Sequence, residues 1–227
     1  MMRFKLVCFD SACIIEPFDL WFKLHGLMET RDAAAEIIAE YHEKDDRRFA
    51  QESIRMWKQH DAGAYMKLVD QVQFANGAKE AVAELHKIGY AVALVGEEPS
   101  QLGKRAKVEL GFDLEFTNDI FLDNNCFTGF FDWFVTPQTK LKVLRDRLME
   151  RKLLLKDVVY VTGNSDDVKI MKQAGIGIAY CATSVPLKES ANAIIRERNL
   201  LLIPPQIRKI EKEGTAADIF DKHLAAR

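Results

Sequence analysis

Two kinds of apolar spacing alternate along the chain. Short continuous runs, 6–9, 90–95, 157–161, 176–181 and 200–203, are too brief for globular helices and rich in β-formers, so they predict buried strands. Between them apolar residues recur at helical spacing. From 16 to about 73 no strand pattern interrupts: Phe18, Trp21, Phe22, Leu24 and Leu27 form one face, followed by helical stretches at 33–41 and 49–57. The charged bridge Glu43-Lys44-Asp45-Asp46-Arg47-Arg48 reads as a solvated helix connection. A helix over 76–89 closed by Gly89 follows, then the strand 90–95, a strand-to-helix turn at 96–100 and a helix to about Leu110. Residues 116–135 read as a hairpin around Asp123-Asn124-Asn125. Helices at 138–149 and 187–197, and an amphipathic tail from Gln206, complete the pattern. Alternating strands and helices of these lengths predict an α/β fold: a Rossmann-like, mainly parallel sheet covered on both faces, with an all-helical insertion and a β-hairpin.

At 227 residues the chain exceeds the usual size of one domain, and the expected division is a core of 1–15 plus 73–227 with a helical unit at 16–72. Lys+Arg number 32 against Asp+Glu 34, and the net charge of −2 supplies no field for nucleic acid or an anionic membrane. Cys8, Cys13, Cys126 and Cys181 lack CxxC spacing and read as reduced thiols. The N-terminus carries Arg3 and Lys5 and reaches Asp10 before any long apolar stretch, so neither a signal peptide nor a membrane span is expected, and a cytoplasmic protein is. The five histidines are spread through helical contexts and read as surface or packing residues, as do Trp21 and Trp57.

The candidate chemistry starts at Asp10, an acid that ends the first apolar run at the strand edge where α/β sheets bind ligands. On pattern alone, an acid that merely ends a strand is the favoured reading. Three further segments fit the same architecture: the frame 77–95, the hairpin ending in Phe127-Thr128-Gly129, and 157–181 with Ala174-Gly175-Ile176-Gly177-Ile178-Ala179, continued by Val185-Pro186-Leu187-Lys188-Glu189-Ser190-Ala191. Together they resemble the haloacid-dehalogenase (HAD) superfamily, in its phosphoserine-phosphatase-like branch, whose helical C1-type cap follows the first strand and whose hairpin is a flap.

The resemblance implies a site. Its first motif, D-x-D, places Asp10 at the nucleophile, which would form an aspartyl phosphate, and Ala12 where the general acid and base stands. The second motif supplies a hydroxyl and backbone donors to phosphate; here it is Gly96-Glu97-Glu98, so Gly96 and Glu97 fall at substrate-binding positions. Lys140 matches the third motif, a lysine that neutralises the nucleophile and phosphate. The fourth, Thr162-Gly163-Asn164-Ser165-Asp166-Asp167, has Gly163 in place of the direct magnesium ligand, Asp166 at a substrate-contacting position and Asp167 near the metal. Asp10 and Asp167 are then the metal candidates, with Mg²⁺ binding weak or absent. In the cap, Trp57 stands where an arginine meets the substrate carboxylate, and Asp19 or Glu16 is the candidate amine-binding acid.

With Ala12, Gly96 and Gly163 at functional positions, the leading expectation is a degenerate phosphatase acting through ligand or protein binding. The alternative is an active Mg²⁺-dependent phosphomonoester hydrolase in which Asp10 attacks and Glu97, Glu98 or Asp166 supplies the missing carboxylate. A small phosphorylated ligand is a candidate partner, with no nucleic acid and no membrane; the aromatic hairpin (Phe127, Phe130, Phe131, Trp133, Phe134) is expected to pack on the cap, with a protein interface there as the alternative. Reversion by Gly163→Asp, Ala12→Asp and Gly96→Ser is expected to return detectable but poor hydrolysis.

Overall fold

In the computed structural model, which describes residues 6–213, strand β1 (Leu6–Asp10) is buried along its whole length. It has a neighbour on each side, β2 (Ala91–Pro99) and β5 (Val158–Thr162), both parallel to it. Strands β3 (Leu114–Asp123), β4 (Cys126–Asp132), β6 (Ile176–Tyr180) and β7 (Ala193–Ile195) complete a seven-stranded sheet of order β4-β3-β2-β1-β5-β6-β7. Only β4 runs antiparallel to its neighbour, as the return strand of a hairpin must. The parallel connections pass through helices that include α5 (Ala78–Lys87), α6 (Ser100–Leu110), α7 (Lys140–Met149), α8 (Val168–Met171) and α9 (Val185–Glu189), and the described chain ends in α10 (Ile203–Glu213). Side chains of β1 alternate between faces: Val7 and Phe9 enter one apolar cluster and Leu6 and Cys8 the other.

Between β1 and α5 the chain forms α1 (Leu20–Leu27), α2 (Ala35–Tyr41), α3 (Asp46–Met56) and α4 (Gly63–Gln71). Leu24, Trp57 and Tyr65 from this segment share a continuous apolar cluster with Val7 and Phe9 of the sheet. The hairpin is strapped to the end of α3, because Gln59 N–H donates to Phe127 O at 2.8 Å and Phe127 N–H to His60 O at 3.0 Å. Phe127 is buried against Trp57 and Tyr65, whereas Phe130 is 69% exposed and Phe131, Trp133 and Phe134 are half-buried.

Inside the helices His25 sits in a closed polar chain. Ser53 donates to Phe49 O at 2.7 Å, so His25 Nε2–H donates to Ser53 Oγ at 2.9 Å, Thr30 donates to His25 Nδ1 at 2.8 Å, and Trp57 Nε1–H donates to Thr30 at 3.1 Å. Burial, with Arg31 nearby, lowers the His25 pKa to about 4, which holds it neutral.

The structure departs from the sequence pattern in two places. Residues 96–99, expected as a turn, extend β2: after an irregularity the ladder resumes at Pro99 opposite Asn118. Asn118 fixes this segment, donating from Nδ2 to Glu97 O and Val135 O and accepting at Oδ1 from Val135 N–H. The last strand is Ala193–Ile195, paired with β6, and not 200–203, while the helix expected at 187–197 is the shorter α9. In the run 200–203, Leu200 and Ile203 are buried and Leu201 is 47% exposed, a spacing of three that suits the 3-10 turn found there, capped by Asn199. The tail expected from Gln206 is α10 as far as Glu213; its remainder, with Arg3 and Lys5, lies outside the described residues. Among the described residues all four cysteines are free, and no helix is long and apolar enough to cross a membrane.

Candidate functional site

The C-terminal ends of β1 and β5 and the first residue of α7 bring Asp10, Lys140 and Asp167 together, each at most 2% exposed. Lys140 Nζ donates to Asp10 Oδ2 at 2.5 Å and lies 3.2 Å from Asp167 Oδ1, so one ammonium bridges both carboxylates. The other acceptors are occupied as well. Asp10 Oδ1 accepts Ala12 N–H at 3.0 Å; Asp167 Oδ2 accepts the Tyr160 hydroxyl at 2.9 Å and the Thr162 hydroxyl at 2.7 Å. Tyr160 and Thr162, which motif reasoning missed, lie in β5, where they look like ordinary strand residues. A polar pair within an otherwise apolar strand beside an acidic loop was the available signal.

One ammonium faces two carboxylates, so the cluster carries one surplus negative charge when both are ionised. Burial raises Asp10 to about 7 while the Lys140 ammonium pulls the other way and Asp167 adds to the rise. Burial lowers Lys140, but Asp10 and Asp167 outweigh it and its pKa is raised. The geometry, an ammonium within 2.5 Å and 3.2 Å of two carboxylates, favours the charged lysine.

The remaining sequence candidates separate. Gly96 is buried, and a Cβ built on it would collide with Ser11 and with Glu98 Oε2, so the donor position is already filled by neighbouring side chains. A Cβ on Gly163 would stand 2.5 Å from the Tyr180 carbonyl oxygen, which is backbone of β6. Ala12 is exposed and offers only a methyl group. Asp166 lies exposed on the loop after β5, its N–H donating to Asn164 Oδ1 at 3.0 Å, apart from the buried cluster. Asp19 caps α1 by accepting Phe22 N–H and bonds His42 at 2.8 Å, and Glu16 pairs with Arg198 at 2.5 Å. Trp57, fully buried, is a core residue of the helical segment.

Mg²⁺ takes one or two carboxylates in octahedral geometry and keeps several waters; Asp10 and Asp167 are the carboxylates at hand, and they also accept from the ammonium between them, from Ala12 N–H and from the Tyr160 and Thr162 hydroxyls. Among the described residues no group of three or more His, Cys, Asp or Glu side chains is arranged to hold a metal.

Ala12, Glu97 and Glu98 also open onto a cavity of about 550 Å³ shared with the helical segment, where Trp21, His42 and Phe49 face Leu102 and Trp133. Glu98, unremarked as a buried group from sequence, has its carboxyl enclosed beside Ser11, and burial raises its pKa against the hydrogen bond from the Ser11 hydroxyl.

No family model matches the chain. It is 31% identical over 144 residues to the phosphoserine phosphatase of Streptococcus thermophilus, covering 63% of this chain and 67% of that protein. It is 29% identical over 166 residues to the phosphoserine phosphatase of Archaeoglobus fulgidus, covering 70% of this chain but only about half, 48%, of that relative's length. Among solved structures, an apo phosphoserine phosphatase superposes with a TM-score of 0.67 at 22% identity, over 92% of this chain and 98% of that one, a likeness of fold. The relatives and the sheet order agree with the motif frame around Asp10 and Lys140, and the chain belongs to the phosphoserine-phosphatase-like branch of the haloacid-dehalogenase superfamily.

Proposed function

We propose that this chain is a degenerate phosphatase: it keeps the family fold and the anchoring aspartate, does not turn over phosphomonoesters at an enzymatic rate, and acts by binding. The observation that carries this reading is the backbone wall at position 163, where a built Cβ would stand 2.5 Å from the Tyr180 carbonyl oxygen, so the residue at the family's direct metal-ligand position is held to glycine. Lys140 keeps the contact with Asp10 that the third motif implies. Two residues on, Ala12 has no proton to give a leaving alkoxide, a loss of about 10²- to 10⁴-fold by itself. Tyr180 O leaves no room for a carboxylate at 163. We read 16–72 as a cap, a reading supported by the cavity that its Trp21 and Phe49 share with Ala12 and Glu97 of the core.

Calorimetric titration with MgCl₂, paired with p-nitrophenyl phosphate hydrolysis, tests the proposal. A degenerate phosphatase shows no saturable magnesium binding at millimolar concentration and no magnesium-dependent release of p-nitrophenol. A rebuilt hydrolase shows both, and loses both with Asp10→Asn.

A further inference from the structure

Where the helical segment lies on α6 of the core, the contact has a polar seam. Gln101, Arg105 and Glu109 stand four residues apart and form one stripe of α6. Gln101 accepts the hydroxyl of the buried Tyr65 at 2.8 Å and donates to Ile120 O at 3.0 Å, which ties α4 through α6 to β3. Arg105 grips α4 itself. Its Nη1 donates to two α4 carbonyls, Val69 O at 2.6 Å and Val72 O at 2.7 Å, while Nε and Nη2 hold the two oxygens of Glu109 at 2.7 Å and 3.2 Å.

The end of α4 needs such a partner. A helix leaves its last carbonyls without an internal donor, and a left-handed residue often closes them, as Gly111 does for α6. Val72, which closes α4, is extended at φ −59° and ψ 129°, so the Arg105 guanidinium supplies the missing donors from another element. Its charge also suits the negative end of the helix dipole. The same guanidinium lies over the ring of Phe74 at 4.5 Å. Phe74 belongs to one of the two linkers that join the helical segment to the sheet, and these linkers pair with each other. Ile15 bridges Phe74, Glu16 N–H donates to Gln73 O at 2.9 Å, and Ala75 N–H donates to Ile14 O at 2.7 Å. Two linkers side by side make an axis about which the segment can turn, and Arg105 holds the chain where that axis begins. On the cavity wall, Trp21 of the segment meets Trp133 of the core with ring centres 6.3 Å apart.

We propose that Arg105, oriented by Glu109, is a latch that sets the seating of the helical segment on the core and so keeps the Trp21 and Trp133 rings together over the cavity. Without it the segment turns about the paired linkers and the cavity opens. This goes beyond the degenerate reading: it rests on 16–72 being a cap and not on the loss of catalysis.

Residue-resolved hydrogen exchange on the whole chain tests the latch in wild type, Arg105→Gln and Glu109→Gln. Arg105→Gln speeds exchange of the Glu16 and Ala75 amides and of the last turn of α4 by at least about tenfold, since two charge-assisted hydrogen bonds are lost, and amides of β1 and β5 change by a smaller factor. Acrylamide quenching of tryptophan emission rises with it as Trp21 and Trp133 part, while Trp57 stays shielded inside the segment. Glu109→Gln moves the same amides by about two- to fivefold. No acceleration at the linkers overturns the proposal, as does an equal or larger one in β1 and β5, which is what a plain loss of stability produces. If Arg105→Gln does not fold, Glu109→Gln, at a side chain 47% exposed, decides alone. The two readings fail separately. Wild-type exchange in which the segment and the sheet open only together removes the cap reading and the latch with it, whereas a segment that opens on its own at a rate indifferent to Arg105 removes the latch alone.

Discussion

Restoring the family's missing carboxylate with Gly163→Asp looks from the sequence like the first step back to metal binding, and the structure predicts that it fails. A Cβ at 163 lies 2.5 Å from the Tyr180 carbonyl oxygen, with Ala182 N at 3.9 Å. Tyr180 ends β6 and is held in register with Ile195, so the obstacle is backbone in a paired strand and not a side chain that can swing away. Forcing an atom into such a place costs about 1–3 kcal/mol through off-rotamer and backbone shifts. Gly163→Ala isolates this term, and Gly163→Asp adds a third acid beside Asp10 and Asp167. Urea denaturation at constant m measures both variants against wild type. The expected losses are about 1–3 kcal/mol for Gly163→Ala and at least as much for Gly163→Asp, with no magnesium binding gained by calorimetry. A Gly163→Asp protein as stable as wild type that binds Mg²⁺ would refute the steric argument. Gly96→Ser meets side chains instead, Glu98 and Ser11 including its Cβ, and with the backbone clash at 163 the triple reversion expected to return weak hydrolysis is predicted to destabilise the protein.

Lys140→Met leaves Asp10 and Asp167 buried together without their cation and should cost about 3–5 kcal/mol by denaturation, whereas Asp10→Asn, which leaves Lys140 its Asp167 partner, should cost less. The reverse order would show that the ammonium is not what holds the cluster. Because the folded pKa of His25 is lowered from 6.5 to about 4, its contribution is present above 6.5 and lost as pH falls through about 4. The stability gap between wild type and His25→Gln should therefore narrow over that descent, and a gap independent of pH would contradict a buried neutral imidazole. Trp57→Phe removes the donor to Thr30 and should cost about 0.5–1.5 kcal/mol, read from the denaturation midpoint.

Much of the architecture was legible because burial and periodicity coincide: β1, β5 and β6 are buried at every position and read as continuous apolar runs. Asp10, Lys140 and Asp167 entered through the resemblance to the family's motifs, Asp10 alone also as an acid ending an apolar run, and the structure brings the three together. The reasons the site is closed were not. Gly163 is confined by a carbonyl of a different strand, a contact that no residue type encodes. Glu98 turns inward because Asn118 draws 96–99 into an extended strand, and nothing local to Gly96-Glu97-Glu98 announces that partner. Leu200-Leu201-Leu202 misleads because an apolar triplet fits strand or helical turn equally, and Asn199 ahead of it was the overlooked cap.

The most direct test of the central claim is phosphate release from phosphoserine with saturating Mg²⁺, by wild type and Asp10→Asn in parallel. The account predicts that wild type releases no more phosphate than Asp10→Asn, both at the buffer rate. Wild-type turnover within the common enzyme range of about 1–10³ s⁻¹, abolished by Asp10→Asn, would contradict it.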